Sequence, residues 1–89
     1  MNWSINFSKD SLESLECYHC KEDFIIDKIK LSLRKFKGEN TNINIKRLKG
    51  NWEGFYRIRS GKLRIIAEFQ FEHCRVYIDR VDWRGNVYK

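Results

Sequence analysis

Three arginines stand close together in the stretch GFYRIRSGKLRIIAEF, from Gly54 to Phe69: Arg57, Arg59 and Arg64. A guanidinium is planar and permanently charged, and its fork of donors matches two oxygens of a phosphate. Several such groups on one surface attract a polyanion. Aimed at a reacting phosphoryl group, they also stabilise the charge that builds on its oxygens. Their chemistry therefore depends on whether the chain sets them side by side.

Strand alternation predicts that it does. Tyr56 and Ile58 share one face of a strand running from Phe55 to Arg59, while Phe55, Arg57 and Arg59 share the other. Ser60 and Gly61 make a tight turn into a second strand, Lys62 to Phe71. There Leu63, Ile65, Ala67 and Phe69 form the apolar side, and Arg64, Ile66 and Glu68 point away. A third strand spans Arg75 to about Val81. The arginines are thus expected on the face turned from the core. The plainer alternative is a set of solvated sheet charges paired with Glu53, Glu68 or Asp82.

Upstream elements supply that core. WSINFS, Trp3 to Ser8, alternates Trp3, Ile5 and Phe7 with polar residues and reads as a strand. Ser8 caps a helix from Lys9 to about His19, with Leu12, Leu15 and Tyr18 three apart. A second helix, from about Lys21 to Lys37, carries Ile26, Ile29, Leu33 and Phe36 on one stripe, and Gly38 ends it. ENTNINIKRLKGNWEG reads as a connector pinned by Ile43, Ile45 and Leu48. The expected fold is α+β in the order β-α-α-β-β-β. It is a small, mostly antiparallel sheet with an N-terminal helical hairpin on one face, forming a single domain over residues 1–89.

With 42% apolar and 34% charged residues among 89, the chain is globular rather than disordered. Eighteen Lys and Arg against 12 Asp and Glu give a net +6, which favours nucleic acid or an acidic protein segment as partner. No run approaches the roughly 18 apolar residues of a membrane span. MNWSINFSKD lacks the layout of a signal peptide, so a cytoplasmic location is expected. Cys17, Cys20 and Cys74 are odd in number, as suits a reducing compartment. CYHC, Cys17 to Cys20, with His73 and Cys74, invites a zinc site. However, His73 and Cys74 point to opposite faces if extended, so buried cysteines and a surface histidine are preferred. No metal or other cofactor is expected.

LKGNWEGFYRIRSGKLRII, followed by IDRVDWRGNVYK, resembles the RelE superfamily of toxin components from type II toxin–antitoxin pairs. The most specific parts are YRIRSGKLR, with basic residues at fixed offsets around a glycine turn, and an arginine four residues before a near-terminal tyrosine. The resemblance implies a small antiparallel sheet flanked by two helices, and cleavage of messenger RNA in the ribosomal decoding site. It places the family's basic cluster on Arg57, Arg59 and Arg64 and its C-terminal pair on Arg84 and Tyr88. It also implies a cognate antitoxin partner.

On that basis Arg64 is the main phosphate clamp, Arg57 and Arg59 shape the backbone path, Arg84 steadies developing charge, and Tyr88 and Trp83 stack on bases. Trp52 and Tyr56 are read as packing residues. Arginine does not deprotonate, so neither Arg57 nor Arg59 can be the general base. Glu68 has the parity to face the cluster, and Lys46 or Lys49 can approach from the connector. Two other functions fit the same fold: a ParE-like inhibitor of DNA gyrase, and an RNA-binding module that occupies the ribosome without cutting.

Overall fold

The computed structural model describes residues 3–83. Its elements are β1 (Ser4–Phe7), α1 (Lys9–Cys17), α2 (Glu22–Phe36), β2 (Asn44–Arg47), β3 (Phe55–Ser60), β4 (Leu63–Gln70) and β5 (Arg75–Trp83). Short 3-10 turns occupy Gly50–Trp52 and Phe71–His73. The strands form one sheet in the order β1-β5-β4-β3-β2, antiparallel throughout except that β1 runs parallel to β5. This is the expected α+β architecture with one strand more. The segment read as a connector contains β2, whose Ile45 lies opposite Ile58 of β3. Charged and amide neighbours hide the two-residue spacing of Ile43 and Ile45.

Local signals account for the helices. Ser8 is extended, and its Oγ accepts the Ser11 N–H at 3.0 Å, a side-chain cap on α1. Acidic Glu22 and Asp23 open α2 while Arg34 and Lys35 close it, the arrangement that complements the helix dipole. The loop between β3 and β4 is Gly61–Lys62, one residue further on than expected, and Gly61 takes φ +62°.

One face of the sheet carries the core. Leu63, Ile65, Ala67 and Phe69 of β4 are all buried, against Leu15 of α1 and Ile25, Ile29 and Leu33 of α2. The buried stripe of α2 runs through Ile25 rather than Ile26, and Phe36 is 37% exposed at its end. Phe36 instead joins an edge-to-face aromatic cluster with Tyr56, Phe69 and Phe71. Tyr56 is therefore a packing residue, as its sequence context suggests.

A bulge in β5 matters for everything outward-facing. Ala67 pairs with Ile78 and Ile66 with Arg80, so Asp79 is an extra residue. It allows Val76, Ile78 and Val81 all to be fully buried, while Arg80 and Asp82 lie on the opposite face. The bulge is held from outside the sheet. Ser8 Oγ donates to the Asp79 carbonyl at 2.8 Å, and the Ser8 N–H donates to the Ile78 carbonyl at 2.9 Å.

Two substitutions check this assignment of faces. Ile65→Ala, at a fully buried position, should lower stability by about 2–5 kcal/mol in urea unfolding. Leu12→Ala, at a position 41% exposed, should cost less than about 1 kcal/mol. Equal effects would mean that the core has been misplaced.

Candidate functional site

Register across the uncovered face lines up side chains from four strands. One row runs Lys46, Arg57, Ile66, Arg80; the next runs Asn44, Arg59, Arg64, Asp82. Neighbouring strands lie about 4.8 Å apart and the rows about 7 Å apart, because alternate residues share a face. Five cations and one carboxylate therefore occupy eight adjacent positions. The ladder of β3 and β4 sets Arg59 directly opposite Arg64. Like charges so placed repel by a few tenths of a kcal/mol to about 1 kcal/mol, which the backbone hydrogen bonds and the core beneath must offset.

Asp82 relieves part of this. Its carboxylate lies on the other side of Arg64, with Nε–Oδ1 at 3.4 Å and Nη2–Oδ2 at 3.5 Å. Both contacts are long, and the two side chains are 41% and 33% exposed, so the pair contributes at most about 1 kcal/mol. Its main effect is to restrict where the Arg64 fork points. Asp82 Oδ1 has no hydrogen bond of its own, and Arg57 Nε is a buried donor with no acceptor. A donor left in that state is unfavourable for folding alone.

The rows border a hollow of about 300 Å³. Arg57, Arg64 and Arg80 supply its cationic wall, Ile66 an apolar patch, and Asp82 a carboxylate; Leu48 and Trp52 close it from the segment before β3. Trp52 is 42% exposed and meets Phe55 edge to face at 5.1 Å. It packs on Phe55, as its sequence context suggests, and also borders the cationic hollow.

The remaining expected site residues fall in different places. Lys46 is in the first row. Lys49 lines a larger hollow of about 520 Å³, together with Arg47, Tyr56, Phe69 and Phe71. That hollow lies at the aromatic edge of the covered face, away from the arginine rows, so size does not identify the basic site. Glu68 shares the arginines' face but pairs with Phe55 and Tyr77, about 13 Å along the strand from Arg64. Trp83 pairs with Leu63 on the covered side and packs on Tyr18 with ring centroids 4.4 Å apart. Arg84 and Tyr88 lie outside the described residues.

Arg80 has no counterpart among the sequence-derived site residues. Plain alternation from Ile78 turns it inward, and only the bulge at Asp79 turns it out. The spacing of Val76, Ile78 and Val81, two and then three residues, is the signal that carries this. Among the described residues no three His, Cys, Asp or Glu side chains come together to hold a metal ion. Burial pushes the Cys20 thiol up, which keeps it protonated. No helix among the described residues is long and apolar enough to cross a membrane.

No family model matches the sequence, and no curated protein matches it. Solved structures do. The chain is similar to a chain of the RelB–RelE antitoxin–toxin complex from Methanococcus jannaschii, at 28% identity, with 89% of each chain covered and a TM-score of 0.56. It is similar to a chain of the YoeB–YefM toxin–antitoxin heterotetramer from Staphylococcus aureus, at 18% identity over 94% of this chain and 99% of that one, TM-score 0.60. A metal-bound toxin from Helicobacter pylori gives a TM-score of 0.68 at 13% identity, covering 98% of this chain and 100% of the other.

If Arg59 and Arg64 repel as their register requires, Arg59→Gln should raise stability. The expected gain is up to about 1 kcal/mol at low ionic strength, shrinking in 1 M salt. Urea unfolding at the two salt concentrations reads it. A loss of stability at low salt would show that the two guanidinium groups do not oppose one another.

Proposed function

We propose, for a chain that belongs by fold to the RelE/ParE superfamily of toxin components, that it is the toxin of a type II toxin–antitoxin pair. We further propose that it acts as a ribosome-dependent endoribonuclease on messenger RNA in the decoding site. The observation that carries this is the pair of cross-strand rows, with five cations against one carboxylate on a face no helix covers.

Cleavage by such a site joins a ribose 2′-oxygen to the adjacent phosphorus and releases the 5′-oxygen of the next nucleotide, leaving a cyclic phosphate. The 2′-hydroxyl gives up one proton and the departing oxygen takes one up. Negative charge gathers on the non-bridging oxygens in between, where fixed guanidinium groups act most strongly. Arg64, confined by Asp82, is the clamp for that phosphate. Arg57, Arg59 and Lys46 hold the strand on either side. Arg84 and Tyr88, the C-terminal pair of the family resemblance, complete the site, Arg84 steadying the developing charge or the leaving oxygen and Tyr88 stacking on a base.

Asp82, the carboxylate that touches Arg64, takes the 2′-proton; Glu68, the carboxylate expected from strand parity, lies about 13 Å along the strand from Arg64. The ribosome supplies the remaining alignment of the message, so a modest base suffices. The cognate antitoxin, on this reading, brings carboxylates to the same face and occupies it in place of RNA.

Mapping message ends after a short induction tests the reading. Cuts positioned by reading frame are expected in the parent. Arg64→Ala should cut at least about 100-fold more slowly, with an unchanged thermal midpoint and no growth arrest. DNA breaks with intact messages would instead identify a gyrase poison. Full toxicity of the Arg64→Ala chain would remove Arg64 from the site.

A further inference from the structure

The hollow beside the arginine rows has two kinds of wall, and a phosphate needs only one of them. Its charged side is Arg57, Arg64 and Arg80, with the Asp82 carboxylate turned to Arg64; its apolar side is Trp52, Leu48 and Ile66. A free anion gains nothing from the second wall. A base alone gains little from the first. Both are used by one unit, a nucleotide whose base and phosphate remain together.

We propose that this hollow seats a single unpaired nucleotide of an RNA strand, with its base against Trp52 and its phosphate on Arg80 and Arg57. The assignment rests on the RNA reading above and adds to it two residues, Trp52 and Arg80, that determine how RNA is held. A volume of about 300 Å³ sits at the lower end of small-molecule sites. Trp52 is presented firmly rather than on a loose loop. The Leu48 N–H donates to the Phe55 carbonyl at 3.0 Å, closing the loop at its base, and Phe55 packs edge-on against the indole.

Such an aromatic face accepts any base by stacking, and the bulge at Asp79 turns Arg80 to the same hollow. Of the large exposed aromatic and aliphatic side chains in the described residues, Phe24, Phe36, Phe71 and Tyr77 do not line this hollow. Trp52 does, beside the arginines.

The experiment is fluorescence anisotropy of a labelled eight-nucleotide unstructured RNA titrated with the full chain at several salt concentrations. Arg80→Ala should weaken binding several-fold and lower the slope of log affinity on log salt by about 0.7. Trp52→Ala should weaken binding about ten-fold or more with the slope unchanged, and Trp52→Phe should restore most of the loss. Lys30→Ala, an exposed charge on α2, should stay within about two-fold of the parent. Thermal midpoints confirm that each variant is folded, and Arg80→Ala, at an exposed position, keeps the test valid if Trp52→Ala is not.

Parent-like affinity and slope in both the Arg80→Ala and the Trp52→Ala chains would overturn the proposal, as would a parent that fails to bind the RNA at 1 mM. The outcomes separate the two readings. Message cleavage that needs Arg64 but ignores Trp52 and Arg80 sinks the nucleotide seat and keeps the nuclease. RNA binding that needs Trp52 and Arg80 without any cleavage keeps the seat and sinks the nuclease.

Discussion

A sheet covered on one face only leaves every second residue of its central strands to solvent, and β4 obeys this without exception. Leu63, Ile65, Ala67 and Phe69 are buried, while Arg64, Ile66, Glu68 and Gln70 are not. Because β4 has a partner on each side, its outward residues are ringed by those of β3 and β5. Arginines are thereby rooted at neighbouring positions of one face, with Arg59 directly opposite Arg64. Their closeness is imposed by backbone pairing and by the apolar face beneath, not by mutual attraction. A ligand that brings negative charge relieves the strain, and among the described residues the loose Arg64–Asp82 pair relieves part of it.

The bulge at Asp79 connects this arrangement to the rest of the fold. Ser8 caps α1 and donates to the Asp79 carbonyl with one hydroxyl, so the start of the helical hairpin and the phase of β5 are fixed at one point. Beyond it, Val81 turns in and Arg80 and Asp82 turn out. The helices thus contribute to the basic face without touching it. Two exposed aromatics border different hollows: Phe71 at the covered side with Lys49 and Arg47, Trp52 at the arginine side.

Much of this was legible in the sequence because alternation in β3 and β4 is strong: four large or small apolar residues two apart leave Arg64 no other face. The helical hairpin was legible from Ser8, Gly38 and the spacing of Ile29 and Leu33. Three features were hidden. β2 is short, lies at the sheet edge and buries little, so its charged residues masked the pattern. Arg80 depends on an inserted residue, and alternation counted through Asp79 gives the wrong face. Trp52 has the composition of a core residue, and only its place on the loop closed by Leu48 and Phe55 shows that it borders the basic hollow. Glu68 had the right parity but the wrong register, a distinction that needs the pairing partners and not the face alone.

The central claim is that separate strands bring their guanidinium groups to one phosphate. The most direct measurement is a crystal structure of the chain with a short RNA whose 2′-hydroxyl is removed at one position, so that it binds without being cut. The account predicts a phosphate within hydrogen-bonding distance of Arg64 and of at least one of Arg57 and Arg80, on the face opposite the helices. Density for the RNA along the aromatic hollow of Tyr56, Phe69 and Phe71, with the arginine rows unoccupied, would contradict it.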